Sequence, residues 1–302
     1  MAKNELKEVA SDLSATVDKV DPEVLWPEVL EVQRLRPYLF PVARRRIGYE
    51  AQPDTDVFRT ELPGARYQSI LRMDTTPPQV LSVVTGEYEL VPHHEALSLI
   101  FTALRELGVQ CRIGQVGSNM SQGMLIVEVL LEAEEEVDIP HLGKIQFCLT
   151  VSNSYDTSRS FVFTVTARRL ACLNGMFLPL SALSFSMRHS SGLTDKLKEV
   201  QEAIYARAEM APVLWEQFFS QLETLRGTPE EILDAAFGEG ELPAKWLEAA
   251  KEITRYQGMP PGLDSYNRIT DALSHGGPKL TTRLEYLRIT GRRFLQLTEG
   301  RK

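Results

Sequence analysis

Between residues 67 and 169 apolar positions recur at two different periods, and the changes of period lay out a fold. YQSILRM (67–73) and QVLSVVTGEYEL (79–90) alternate apolar and polar residues, with a Pro-rich turn at 74–78 between them. They predict a hairpin, with Gly86 as a bulge or bend. From Pro92 the period lengthens. Leu97, Ile100, Phe101, Leu104 and Leu107 fall at helical spacing, Glu95 lies in the first turn, and Gly108 is placed to close the helix. Three strands are predicted next, at 109–118, 123–133 and 144–154. A fourth follows in FVFTVTARRL, where Phe161, Phe163 and Val165 alternate with Val162, Thr164 and Thr166. Their short links favour an antiparallel meander over crossovers. After Gly192 one apolar stripe at helical spacing runs from Leu193 to Leu225, with Pro212 as an expected kink or break. TPEEILDAAFG (228–238) opens with a Thr N-cap, then Pro and Glu, and further helices are predicted over 243–257, 264–274 and 279–297.

The fold class expected is α+β. An antiparallel sheet of about five to six strands is built as a β-hairpin, a helix and a β-meander, packed by a long helix and followed by a helical C-terminal region. Residues 1–64 read as a short amphipathic helix (3–20) and an irregular, Pro-broken arm, 65–227 as the core domain and 228–302 as the helical region.

At 302 residues, 43% hydrophobic and 25% charged, the chain has the composition of a soluble folded protein. Cys111, Cys148 and Cys172 show no ligand spacing and read as reduced, buried thiols. No run of 18 apolar residues and no signal-peptide core is present, so a cytoplasmic location is expected. The net charge of −8 argues against coating a polyanion by bulk charge, but its distribution is uneven. Residues 132–138 hold five acids in seven positions and read as a solvated hairpin tip, whereas 279–302 hold seven Lys/Arg against two Glu. Arg44, Arg45 and Arg46 form a second basic run, as a solvated face or a phosphate or subunit contact.

Nucleotide, dinucleotide and common hydrolase chemistry lack their motifs: there is no GxxxxGK[ST], GxGxxG, GxSxG or HExxH. No metal, cofactor or enzymatic activity is therefore expected. Adjacent His93 and His94 at a helix start point about 100° apart and read as a surface pair. A nucleophile built from Ser154, Tyr155 and Asp156 with His189 stays open, because triads are defined by geometry.

The richest stretch is NSYDTSRSFVFTVTARRLACLNGM (153–176), followed by Arg188-His189. Asn153, Ser154, Asp156 and Ser158 are turn formers, and Arg168 and Arg169 stand at the end of the strand, where sites are commonly presented. In a binding reading, Arg159, Arg168, Arg169, Arg188 and Lys196 contact phosphates, and Tyr155 and His189 stack on unpaired bases. Asn153 and Asn174 then shape turns and donate hydrogen bonds. The competing structural reading pairs one of the two arginines with Asp156 or Glu199 and leaves the other in solvent.

The segments LRMDTTPPQVLSVVTGEYELVPHHEAL, NSYDTSRSFVFTVTARRLACLNGM and MRHSSGLTDKLKEVQEAI together resemble the phage- and plasmid-encoded family called domain of unknown function nine-three-two, over roughly residues 65 to 225. The resemblance implies motif positions at Asn153, Ser154, Tyr155, Asp156, Ser158, Arg169, Cys172, Asn174, Arg188 and His189. The chain departs at Thr157, where the family commonly has Gly, and at Leu173. The element order is also similar to the single-strand annealing recombinases, the Rad fifty-two, RecT, Erf and Redβ group. That similarity implies rings or filaments holding single-stranded DNA in a basic groove, without nucleotide. The expected function is thus a single-stranded DNA-binding and annealing protein of a phage or mobile element, acting in recombination as a homo-oligomer. The alternative is an assembly subunit or host-defence inhibitor that binds protein only.

Overall fold

A computed structural model describes residues 34–46, 48–50, 59–61, 67–86, 88–119, 122–132, 137–139, 141–170, 174–187, 196–238 and 240–300. The helix predicted over 3–20 lies outside these residues, as does most of the acidic tip at 132–138. In chain order the elements are β1 (Val42–Arg46), β2 (Gly48–Glu50), β3 (Arg59–Glu61), β4 (Tyr67–Arg72), β5 (Gln79–Thr85), α1 (His93–Glu106), β6 (Gln110–Ser118), β7 (Met124–Glu132), β8 (Val137–Ile139), β9 (Gly143–Ser154), β10 (Phe161–Arg169), β11 (Gly175–Met176), β12 (Ser184–Met187), α2 (Leu197–Glu223), α3 (Pro229–Phe237), α4 (Ala244–Glu252), α5 (Pro261–His275) and α6 (Leu280–Thr298).

The fold is α+β with antiparallel sheets and a helical C-terminal region, as the periodicities require. The meander forms the main sheet in the order β11-β10-β9-β7-β6, with β12 added on β10 and β8 on β9. The hairpin does not join it. β4 and β5 build a separate three-stranded sheet with β1, which comes from the Pro-broken arm and pairs Val42 with Arg72 and Ala43 with Leu71. The bulge of this sheet falls at Ile70/Leu71; Gly86 lies beyond the end of β5, in a turn. A second irregularity interrupts β6 between Ile113 and Val116, and there Arg34 donates to the carbonyls of Ile113 and Gly114 (3.1 and 2.6 Å).

Register sorts the main sheet into two unlike faces. Val127, Val129, Leu149, Val151, Phe161, Phe163, Val165 and Ala167 fall on one side, all at most 2% exposed, and face α1 and α2. Each such side chain contributes about 1.5–3 kcal/mol of hydrophobic stabilisation, Ala167 less. The alternate positions carry Glu128, Thr150, Thr164, Thr166 and Arg168, polar groups set among Ile126, Leu130 and Cys148 on the outer face.

α2 runs through Pro212 unbroken. The lost hydrogen bond costs about 3 kcal/mol in a free helix. Here Val200 and Ile204 before it, and Trp215, Phe218 and Leu222 after it, are all at most 2% exposed, and this burial on both sides holds the helix together. Its second half meets the C-terminal helices in a set of aromatic contacts: Phe218 to Tyr266 and Tyr266 to Phe294, each 5.2 Å between ring centres. One buried cluster therefore extends from Leu35 through the sheet to Phe294. α3 begins as its residues dictate, with Thr228 and Glu231 forming a reciprocal capping box.

Candidate functional site

The turn 153–159 is a joint between the two sheets. Asn153, at the end of β9, is 3% exposed and donates from Nδ2 to the Val91 carbonyl (3.1 Å) and to His93 Nδ1 (2.8 Å). Ser154 Oγ accepts from the Arg159 amide (3.0 Å) and donates to the Arg159 carbonyl (2.7 Å), so its hydroxyl is committed to closing the turn. Asp156 Oδ1 accepts from the Ser158 amide (3.0 Å) and Oδ2 from Asn119 (2.6 Å), the geometry of an Asx turn. Thr157 sits at φ +60°, the left-handed region that favours glycine.

Tyr155 corrects the expectation of an open stacking ring. It is 0% exposed, its hydroxyl accepts from the His93 amide (2.6 Å), and its ring stacks on His93 at 3.9 Å. Phe40 and, from the small sheet, Ile70, Leu81 and Val84 pack around it. Ser82 donates to its carbonyl, and Tyr88 donates to the Ser154 carbonyl (2.9 Å). Burial pushes the Tyr155 phenol well above its ordinary range, so it is neutral. His93, expected at the surface, is 1% exposed. Ser154 and Tyr155 are closed in, so neither hydroxyl is an accessible nucleophile, and His189 lies outside the described residues.

Arg168 and Arg169 do not act together, because consecutive strand residues point to opposite faces. Arg168 lies on the outer face, 3.5 Å from Glu128, both side chains at most 14% exposed. Arg169 turns inward. It donates from Nε to the Leu142 carbonyl (2.6 Å), reaches Asn267 Oδ1 (3.5 Å) and lies 5.5 Å over the Tyr256 ring. Neither arginine pairs with Asp156 or Glu199. Asn174, expected to donate to a ligand, is 0% exposed and donates to the Tyr256 hydroxyl (2.9 Å), which donates in turn to buried Asp271 (2.9 Å). Arg255 and His275 also bind that carboxylate. These distant partners gave no local signal in the sequence.

Of the remaining expected contacts, Arg159 is partly exposed, 3.9 Å from Glu285 of α6, and Lys196 is 3.9 Å from Glu199. Arg44 donates to the Tyr88 carbonyl and Arg45 is exposed on β1, away from the main sheet's outer face. The Arg46 side chain, Cys172, Arg188 and His189 lie outside the described residues. Cys111 and Cys148 are buried free thiols.

What sequence reading missed is where α6, expected over 279–297, packs. It crosses the outer face of the main sheet, with Leu280 against Gly117 and Leu287 against Gly175. At Gly291 a Cβ would collide with the Phe177 carbonyl oxygen, so only a bare backbone allows the helix to seat there. Between helix and sheet runs a cleft lined by Glu128, Thr150, Thr166, Arg168, Arg283 and Leu287, among others. Along the flanks of α6, Glu285 accepts from Arg288 (2.6 Å), and Glu241 pairs with Arg292 (3.2 Å) and with largely buried Arg293 (2.9 Å). The Arg288 hydrogen bond holds the Glu285 carboxyl below its usual range. The cluster of seven basic residues at 279–302 was the available signal, but not where it would lie.

No helix among the described residues is long and apolar enough to cross a membrane. No curated protein and no solved structure matches the chain. The family model described as domain of unknown function (DUF932) matches residues 80–290, from β5 through most of α6, and so extends beyond the motif segment that ends near residue 225. That match spans well over half of the sequence and takes in both walls of the cleft, and the chain belongs to the DUF932 family.

Proposed function

We propose that the protein binds single-stranded DNA along the basic outer surface carried by α6, without nucleotide hydrolysis, and promotes strand annealing for a phage or mobile element. The observation that carries this reading is the local charge. Among the described residues, Arg159, Arg288 and Arg292 stand around two carboxylates, Glu285 and Glu241, in a chain whose net charge is −8. Guanidinium groups left with spare N–H donors suit phosphate oxygens, which they meet in planar forks. Tyr286, partly exposed on the same helix, takes over from Tyr155 as the candidate ring for stacking.

The test is anisotropy of a labelled oligothymidylate across a salt series. Log affinity should fall linearly with log salt. The Arg288→Gln/Arg292→Gln double variant should bind about tenfold more weakly and lower the slope by about 1.4, two phosphate contacts' worth for a single strand. No binding at low salt, or binding indifferent to salt, sinks the reading.

A protein-binding role has one observation in its favour. Tyr67, Val80 and Val83, exposed by 57, 59 and 55%, stand together on the outer side of the small sheet. Sedimentation of the full chain separates the two: self-association abolished by Val83→Asp, with no oligonucleotide bound, favours this second reading.

A further inference from the structure

The cleft beneath α6 holds an unequal set of charges. Arg168 and Arg283 enter it from the sheet and the helix, and Glu128 is the one carboxylate on its wall. Arg168 Nη1 lies 3.5 Å from Glu128 Oε2. Arg283 donates from Nη1 to the Ser274 carbonyl (3.2 Å), and no carboxylate among the described residues comes within ion-pair distance of it. The walls add hydroxyls: Thr150 and Thr166 lie 3.1 Å apart at Oγ1, and Ser274 Oγ accepts from the Gly175 amide (3.1 Å). Burial works against the Arg283 cation, Glu128 supports it and Arg168 repels it. A partly buried guanidinium facing a second one, with a single carboxylate between them, is relieved by one more anion.

Space limits what that anion is. The cavity is about 20 Å³, room for one water or for one oxygen of a tetrahedral anion seated at the mouth, and too small for a base or sugar. We infer that the cleft is a phosphate subsite, in which one phosphate seated at the mouth directs a non-bridging oxygen inward to Arg168 and Arg283, beside the hydrogen-bonded Thr150–Thr166 hydroxyl pair. The identity of that phosphate as one of a DNA strand rests on the function proposed above; the site itself does not. Glu128 then acts as a placeholder. It keeps Arg168 extended across the cleft and weakens the hold on any anion that enters.

Two carboxamide substitutions give opposite signs, which a folding defect cannot imitate. Binding of inorganic phosphate, measured by calorimetry on the full chain, should weaken about tenfold or more in Arg283→Gln, the loss of one charged hydrogen-bonding partner. Arg283→Lys should recover part of it. Glu128→Gln should tighten binding several-fold, since the carboxylate that repels the anion is gone while its shape remains. The same order should hold for the labelled oligothymidylate. Phosphate affinity unchanged in Arg283→Gln, or lowered in a Glu128→Gln protein with a native melting curve, overturns the inference. An oligomer bound equally by native and Arg283→Gln protein overturns the DNA contact of the cleft while sparing the α6 reading. Phosphate bound with both signs, but no oligomer bound at all, leaves the subsite and removes the DNA reading.

Discussion

Thr157 is a β-branched residue in a backbone position made for glycine, and replacing it should stabilise the protein. Its φ of +60° brings Cβ against the following carbonyl, at about 1–2 kcal/mol for an L-residue. The side chain is exposed, so removing it forfeits little packing. Thr157→Gly adds conformational freedom to the unfolded chain, which offsets about 0.4–1 kcal/mol of the gain. The net expectation is a stabilisation of about 0.5–1 kcal/mol. The turn's other bonds, from Ser158 to Asp156 and from Arg159 to Ser154, are unchanged and keep the loop in place. Urea unfolding at 25 °C, read from the midpoint at constant slope, resolves a change of this size. Thr157→Ala is the control: it keeps Cβ and so most of the strain, and should fall below the glycine variant by roughly 0.5 kcal/mol or more. A glycine variant less stable than native, or an alanine variant equal to it, would refute a strained left-handed turn at this position.

Gly291→Ala should lower stability by about 2–3 kcal/mol, because the new methyl meets the Phe177 carbonyl and Pro179 and α6 must lift. Helix propensity alone predicts a gain of about 1 kcal/mol, so the sign of the change in urea unfolding decides. Thr228→Ala removes one half of the α3 capping box and should cost about 1 kcal/mol; no change would mean that the box is idle. In a Cys172→Ser background no thiol should react with a disulfide reagent at pH 8 before unfolding, since burial foremost, and Glu128 next, push the Cys148 thiol up and favour its unreactive neutral form. Rapid release of one equivalent from the native protein contradicts that. Glu285 is held low by Arg288, so its contribution is complete above about pH 5 and lost as pH falls through its folded value. Glu285→Gln should therefore flatten the acid limb of stability against pH, and superimposable limbs would remove the ion pair from the account.

Periodicity carried most of the fold, because elements long enough to show a period also bury one face. α1, β6, β7, β9, β10 and the C-terminal helices fall within a few residues of their expected bounds, apart from α4, which stops at Glu252. β11 and β12 have two and four residues, too short to display a period, and the pairing of β1 with β4 is a tertiary choice. The motif 153–176 was legible as important and misread as open. Asn153, Tyr155 and Asn174 find partners 60 or more residues away, at His93 and Tyr256, and no local pattern announces such pairs. The opposite orientation of Arg168 and Arg169 was implicit in the strand's own alternation.

The seating of α6 on Gly117 and Gly291 joins parts of the chain that are far apart in sequence, with Leu280 about 160 residues beyond Gly117. Closing so long a loop carries an entropy of about 4–5 kcal/mol before any contact repays it. Contacts so distant in sequence form late in folding, and native-state hydrogen exchange along α6 measures how readily the helix lifts. Its departure would bare Thr150, Thr166 and Arg168 while the sheet stays whole. The opening of the outer face is in this sense set by a folding equilibrium, with α6 as a hinged cover whose tightness two glycines determine.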